Sequence, residues 1–174
     1  EESKYDYLLS LPGGSNIGQA IINAMILIET DYKTSLDGIL PKDYNIFEDD
    51  LLAKLLKIFN DDALKSAPGD VFGRIYEYFL MKFAMAGAQD SGEFFTPVSL
   101  VQTIVNVIEP NHGIVFDPAC GSGGMFVQTA HFIEKLKKDI KKTVTFYGQE
   151  KTATTIKLAK MNLAVHGLEG IIAE

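Results

Sequence analysis

Residues Phe116 to Phe126 read Phe-Asp-Pro-Ala-Cys-Gly-Ser-Gly-Gly-Met-Phe, and this run constrains the chain more than any other. The β-branched and aromatic residues of Gly113-Ile114-Val115-Phe116 predict a buried parallel strand that ends on a carboxylate, Asp117. Gly121-Ser122-Gly123-Gly124 then predicts a turn, and an apolar-periodic segment predicts a helix after it. Strand, acid, glycine turn and helix start, in that order, make a nucleotide-type cofactor site at the carboxyl end of a sheet. Glycine lets backbone approach a ligand closely and adopts positive φ without strain. The unpaired amides of a helix start can receive polar or anionic atoms.

A hydride-transfer site would require a Gly-x-Gly-x-x-Gly run, with its third glycine at position 126, which is Phe126. Asp117 would also repel a pyrophosphate. A ligand with a cationic amino acid end and no phosphate suits the motif better, and S-adenosylmethionine (SAM) is such a ligand. The bland alternative is a tight strand–helix connection, but such a turn needs one or two glycines, not three beside an acid.

With 174 residues, the chain has room for one full domain, or for a small domain and part of a second. An apolar content of 47% with 22% charged residues is ordinary for a globular protein. No apolar run approaches a membrane span and no signal peptide opens the chain. The single cysteine, Cys120, allows no internal disulfide, which fits a reducing cytoplasm. The chain opens Glu1-Glu2-Ser3 without methionine and closes on Gly170-Ile171-Ile172-Ala173, a strand just beginning, which is compatible with a fragment of a longer protein. A net charge of −7 leaves no general basic surface for phosphates. A nucleic-acid substrate would then need a local groove or a partner subunit to supply positive field. The one basic cluster, Lys135, Lys137, Lys138, Lys141 and Lys142, reads as the solvated tail of a helix.

The sequence divides into a helical part, 1–88, and an α/β part, 89–174. In the first, 16–29 and 48–59 carry apolar residues at helical spacing, and Asp70 opens a third helix that Gly87 should stop. The aromatic and methionine stripe of that third helix reads as core. In the second part, Thr96 and Pro97 predict the cap and first residue of a helix that Pro110 ends. Strand 114–117, helix 123–141, strand 143–147, helix 153–166 and a strand near 171 follow. Such alternation means βαβ crossovers and a parallel sheet.

Glu150 follows the second strand, 33 residues beyond Asp117. An acid at that tip can accept both hydroxyls of a ribose. Equally, it can be an exposed glutamate beginning the next helix. His112, His131 and His166 match no metal-ligand spacing, so no metal is expected. Cys120 reads as a small buried filler rather than a nucleophile.

Four segments together, Gly92-Glu93-Phe94-Phe95-Thr96-Pro97, Asp117 to Gly124, Tyr147-Gly148-Gln149-Glu150 and Asn162-Leu163-Ala164-Val165-His166-Gly167, resemble the modification (M) subunit of type I restriction–modification systems. The likeness extends into the first half through Gly69 to Tyr78. These subunits are N6-adenine DNA methyltransferases, and the resemblance implies a Rossmann-like SAM-dependent methyltransferase sheet, here truncated, preceded by a helical bundle. It also implies that Glu93, Phe94, Phe95, Thr96, Pro97 and Val98 line the methionine end of SAM, with Thr96 on its carboxylate. Asp117 would meet the cofactor's amino group, Gly121, Ser122, Gly123 and Gly124 would pass beneath it, and Glu150 would hold the ribose. The implied partners are DNA, a specificity (S) subunit, a restriction (R) subunit and a second M subunit joined through S.

The catalytic Asn-Pro-Pro-aromatic tetrapeptide of that family does not occur in the sequence. Only the cofactor half of the site is therefore expected here, with no catalytic residue and no activity of this chain alone. A SAM-dependent methyltransferase acting on a protein glutamine amide, and a non-catalytic interaction module, are the competing readings.

Overall fold

The computed structural model describes residues 1–66, 70–91 and 96–174, the side chains of 84–91 excepted. By its packing the chain divides into two compact units, Glu1–Val71 and Phe72–Glu174.

The first unit holds α1 (Tyr5–Leu9), α2 (Ile17–Asp31), α3 (Lys33–Leu36), a 3-10 turn at Tyr44–Ile46, α4 (Asp49–Phe59) and α5 (Asp62–Ser66). Asn16 caps α2, its side-chain oxygen accepting from the Gln19 amide at 2.8 Å. Asp49 accepts from the amides of Ile17 and Gly18 at 2.8 and 3.2 Å, so the first turn of α4 closes the start of α2. Leu8, Ile21, Ala24 and Leu52 form the small core beneath. The apolar face of α4 is wider than the surface it meets: Leu52 is buried while Leu51 and Leu55 are exposed.

The second unit contains α6 (Val71–Ser91), α7 (Val98–Ile108), β1 (Gly113–Asp117), α8 (Gly124–Lys135), α9 (Ile140–Thr143), β2 (Val144–Gln149), α10 (Ala153–Val165) and β3 (Gly170–Ala173). The strands form one parallel sheet in the order β1-β2-β3. Phe126, Val127 and Ile133 of α8 pack with Phe146 of β2 and with Ala159 and Leu163 of α10. Strand β2 alternates buried and exposed residues from Val144 to Gln149, so α8 and α10 cover one face of the sheet. The Tyr76 hydroxyl, pushed up to about 12 by burial, donates to the Leu158 carbonyl at 3.3 Å and ties α6 to α10. Among the described residues no helix is long and apolar enough to cross a membrane.

Several sequence expectations are corrected. Helix α6 passes through Gly87 to Ser91, since one interior glycine costs a helix only about 1 kcal/mol relative to alanine. Its aromatic stripe is not core: Leu80 is buried, whereas Phe72, Phe79 and Phe83 are exposed. Pro97 rather than Thr96 is the cap residue of α7, and no side chain closes that helix start. The helix expected over 123–141 ends at Lys135, because Lys137 takes a left-handed φ of 58° and Asp139 caps the separate α9. The lysine cluster therefore spans a helix end, a turn and a short helix, with Lys141 paired to Glu169 at 2.9 Å. Finally, β1 is not a buried strand, for Ile114 and Phe116 are 71% and 60% exposed. Among the described strands it pairs on one side only, with β2.

Candidate cofactor-binding site

The register of the sheet sets Asp117 of β1 opposite Gly148 of β2. Glu150, two residues beyond Gly148, therefore follows β2 at the same end of the sheet as Asp117. The Glu150 amide donates to the Ala173 carbonyl at 3.0 Å, which fixes this tip against β3. Each acid is oriented by its own loop. Asp117 Oδ1 accepts from the Ala119 amide at 3.0 Å, and Glu150 Oε1 accepts from the Thr152 amide at 2.9 Å. Such contacts, two residues ahead, hold one oxygen of each carboxylate. Thr152 is also the cap residue of α10, so Glu150 stands between the end of β2 and the start of that helix.

Between the two acids runs the glycine turn. Gly121 and Gly123 take φ of 52° and 80°, the left-handed region that glycine occupies without penalty. The Cys120 amide donates to the Gln149 carbonyl at 2.9 Å, fastening the turn to the end of β2. The Gly123 amide donates back to the Cys120 carbonyl at 2.8 Å. Among the described residues, the amides of Gly121, Ser122, Gly124 and Met125 have no acceptor. The last two belong to the first turn of α8, where unpaired amides are inherent to a helix start.

Cys120 reports the electrostatics of this corner. Burial first, and then the charges of Asp117 and Glu150, push its thiol up to about 11. Both carboxylates therefore act on the same point of the turn. The thiol keeps its proton at neutral pH, which disfavours the nucleophilic thiolate.

Two residues given no role in the sequence reading hold the turn from behind. A Cβ on Gly148 would lie 2.8 Å from the Cys120 sulfur and 3.1 Å from the Phe126 ring, so only glycine lets β2 pass this close. Asn162 of α10, 1% exposed, donates from Nδ2 to the Ser122 carbonyl at 2.9 Å. The run Asn162 to Gly167 was legible as part of a family likeness, but no local pattern ties it to a turn 40 residues earlier.

Of the other sequence candidates, Glu93, Phe94 and Phe95 lie outside the described residues. Thr96 and Pro97 are exposed and Val98 is half-buried at the start of α7. His131 and His166, far apart in sequence, come together with ring centroids 5.7 Å apart. A cavity of about 200 Å³ opens between α7 and α8, lined by Gln102, Asn106, Gln128 and His131 among others, but no residue of the glycine turn borders it.

SAM presents an ammonium, a ribose diol and no phosphate. Two adjacent acids, open amides and a turn without side-chain bulk fit such a molecule; a second acid would repel a phosphate.

The sequence pattern described as N-6 DNA Methylase matches residues 67–173. The chain is 37% identical over 176 aligned residues to the type I restriction enzyme MjaIX methylase subunit of Methanocaldococcus jannaschii, covering 99% of this chain and 31% of that protein. It is 51% identical over 100 residues to the HindI methylase subunit of Haemophilus influenzae, covering 58% of this chain and 22% of that one. The fold superposes on a type I restriction-modification methyltransferase subunit from Streptococcus thermophilus with a TM-score of 0.71 at 22% identity, covering 99% of this chain and 39% of the other. A modification subunit of a type I restriction enzyme from Vibrio vulnificus gives 0.54 at 26% identity, over 97% and 34%. The chain thus spans a third or less of the length of these curated relatives. With the pattern covering more than half of its residues, and the acid-tipped strand, glycine turn and parallel sheet falling inside that span, the chain belongs to the N-6 DNA methylase family.

Proposed function

We propose that residues 89–174 build the cofactor half of a methyltransferase that transfers a methyl group from SAM to N6 of adenine in DNA. The single observation that supports this reading is the pair of oriented carboxylates, Asp117 and Glu150, flanking a glycine turn with four open amides. In this reading the cofactor supplies an electrophilic methyl group. Asp117 holds its ammonium, the Gly121 to Gly124 backbone takes its flank, and Glu150 accepts from the ribose hydroxyls. Glu93, Phe94, Phe95, Thr96, Pro97 and Val98 enclose the methionine end, with Thr96 on the carboxylate.

The chain works as part of a type I modification subunit in the cytoplasm. It assembles with a specificity subunit, a second modification subunit and a restriction subunit on DNA. A net charge of −7 supports delegated recognition, because this chain offers phosphates little attraction. Without an Asn-Pro-Pro-aromatic tetrapeptide the chain alone transfers no methyl group. Calorimetry of the chain with SAM tests the site. Labelled-methyl transfer to DNA by the longer subunit, with and without its specificity partner, tests the substrate. Methyl on cytosine or on protein glutamine would refute the adenine assignment.

A further inference from the structure

The peptide group between Ser122 and Gly123 is held at both ends. Its carbonyl accepts from Asn162 Nδ2 at 2.9 Å, and its N–H donates to the Cys120 carbonyl at 2.8 Å. On either side of it, the amides of Ser122 and Gly124 have no acceptor among the described residues. The direction of those two donors is thus set by a tethered peptide, and one tether comes from a different helix. Asn162 is 1% exposed, and its Oδ1 is buried without a partner among the described residues. Burying a carboxamide with its acceptor oxygen unused is costly. Packing alone would be served better by an apolar residue such as leucine, as at the neighbouring Leu163, which is 2% exposed. The donor at Nδ2 is what an apolar side chain could not supply.

We propose that Asn162 is a positioning residue for the cofactor turn: from α10 it fixes the Ser122–Gly123 peptide so that the flanking amides face the ligand, without touching the ligand itself. The inference rests on the reading of this turn as a SAM cradle. The ligand is the same, but the residue, its atom and its mode of action are additional. Turn geometry would otherwise rest on the glycines, whose backbone freedom favours many conformations besides the binding one. An outside tether reduces the ordering entropy lost on binding.

The test compares Asn162→Asp and Asn162→Ala with the unaltered protein in the complete methyltransferase. Three quantities are measured: SAM affinity by calorimetry, KM for SAM against kcat, and thermal unfolding without ligand. Aspartate nearly matches asparagine in shape and, once ionised, has no donor; because burial raises a carboxyl's pKa, this variant is compared at pH 9, where the carbonyl of Ser122 would face an acceptor. The expected result is at least tenfold weaker SAM binding in both variants and a raised KM for SAM. The loss should persist at temperatures where both variants are folded. A folded Asn162→Asp protein with unaltered affinity, alongside a weakened Asn162→Ala, would show that shape alone matters and overturn the inference. If aspartate prevents folding, the alanine variant decides by the same criterion: unchanged KM with only a lowered unfolding temperature overturns it. Absence of SAM binding in the unaltered protein would instead overturn the reading of the site.

Discussion

Gly148 and Cys120 are in such close approach that a single added carbon on the glycine would sit 2.8 Å from the cysteine sulfur. Strand β2 and the glycine turn are therefore one packed unit. Gly148→Ala is expected to destabilise the protein by about 1–3 kcal/mol, the usual cost of overpacking. The added Cys120→Ala change should recover only part of this, because the Phe126 ring stands 3.1 Å from the same Cβ position. Urea unfolding of the single and double variants measures both effects.

The two acids are expected to make separable contributions to SAM binding. Glu150→Ala should weaken SAM binding by about 1.5–3 kcal/mol, the range for hydrogen bonds to a charged group. Asp117→Ala should cost a similar amount and should also free the Ala119 amide that Asp117 orients at 3.0 Å. S-adenosylhomocysteine, which keeps the ammonium and the ribose, should show both losses in calorimetry.

Cys120 predicts a pH effect with a definite sign. Its thiol stands at about 11 when folded against 9.0 for an unperturbed thiol. The folded state therefore retains a proton that the unfolded state releases in this interval. Stability from this group is fully present below pH 9 and is lost as pH rises through about 11. Cys120→Ala should flatten that part of the urea-midpoint profile. Alkylation of the native protein at pH 8 should also be much slower than that of the unfolded chain.

In the first unit, Glu29 is buried where its carboxylate meets Lys42 at 2.6 Å and the Leu40 amide at 2.8 Å. Burial alone would raise its pKa, but Lys42 and the amides of Leu40 and Gly38 outweigh that and lower it below its ordinary 4.5. The stability it contributes is thus present above pH 4.5 and fades as pH falls through the lowered value. Glu29→Gln should cost about 1–3 kcal/mol at pH 7, and the difference from the unaltered protein should shrink on acidification.

What the residues disclose by themselves is local in character. The apolar-periodic run over 16–29 announced α2, and β-branched residues ending on Asp117 before three glycines announced β1, the turn and α8. Periods of two and 3.6 residues are set by the backbone, so they are visible in the sequence that makes them. Boundaries were less legible. The stop expected at Gly87 and the helix expected to run on to 141 both failed, because a single glycine only weakly opposes helix and a single left-handed lysine suffices to end one.

The sequence by itself determined the alternation of strand and helix, the acid at each strand tip and the flexible turn between them. Tertiary structure alone decided that β1 is exposed and that His131 meets His166. It also placed Gly148 and Asn162 against a turn 28 and 40 residues before them, at Cys120 and Ser122. The reason is physical. A repeat of side chains along an element follows from its own geometry, whereas a contact between elements depends on how whole surfaces fit, and no short stretch of chain encodes that fit.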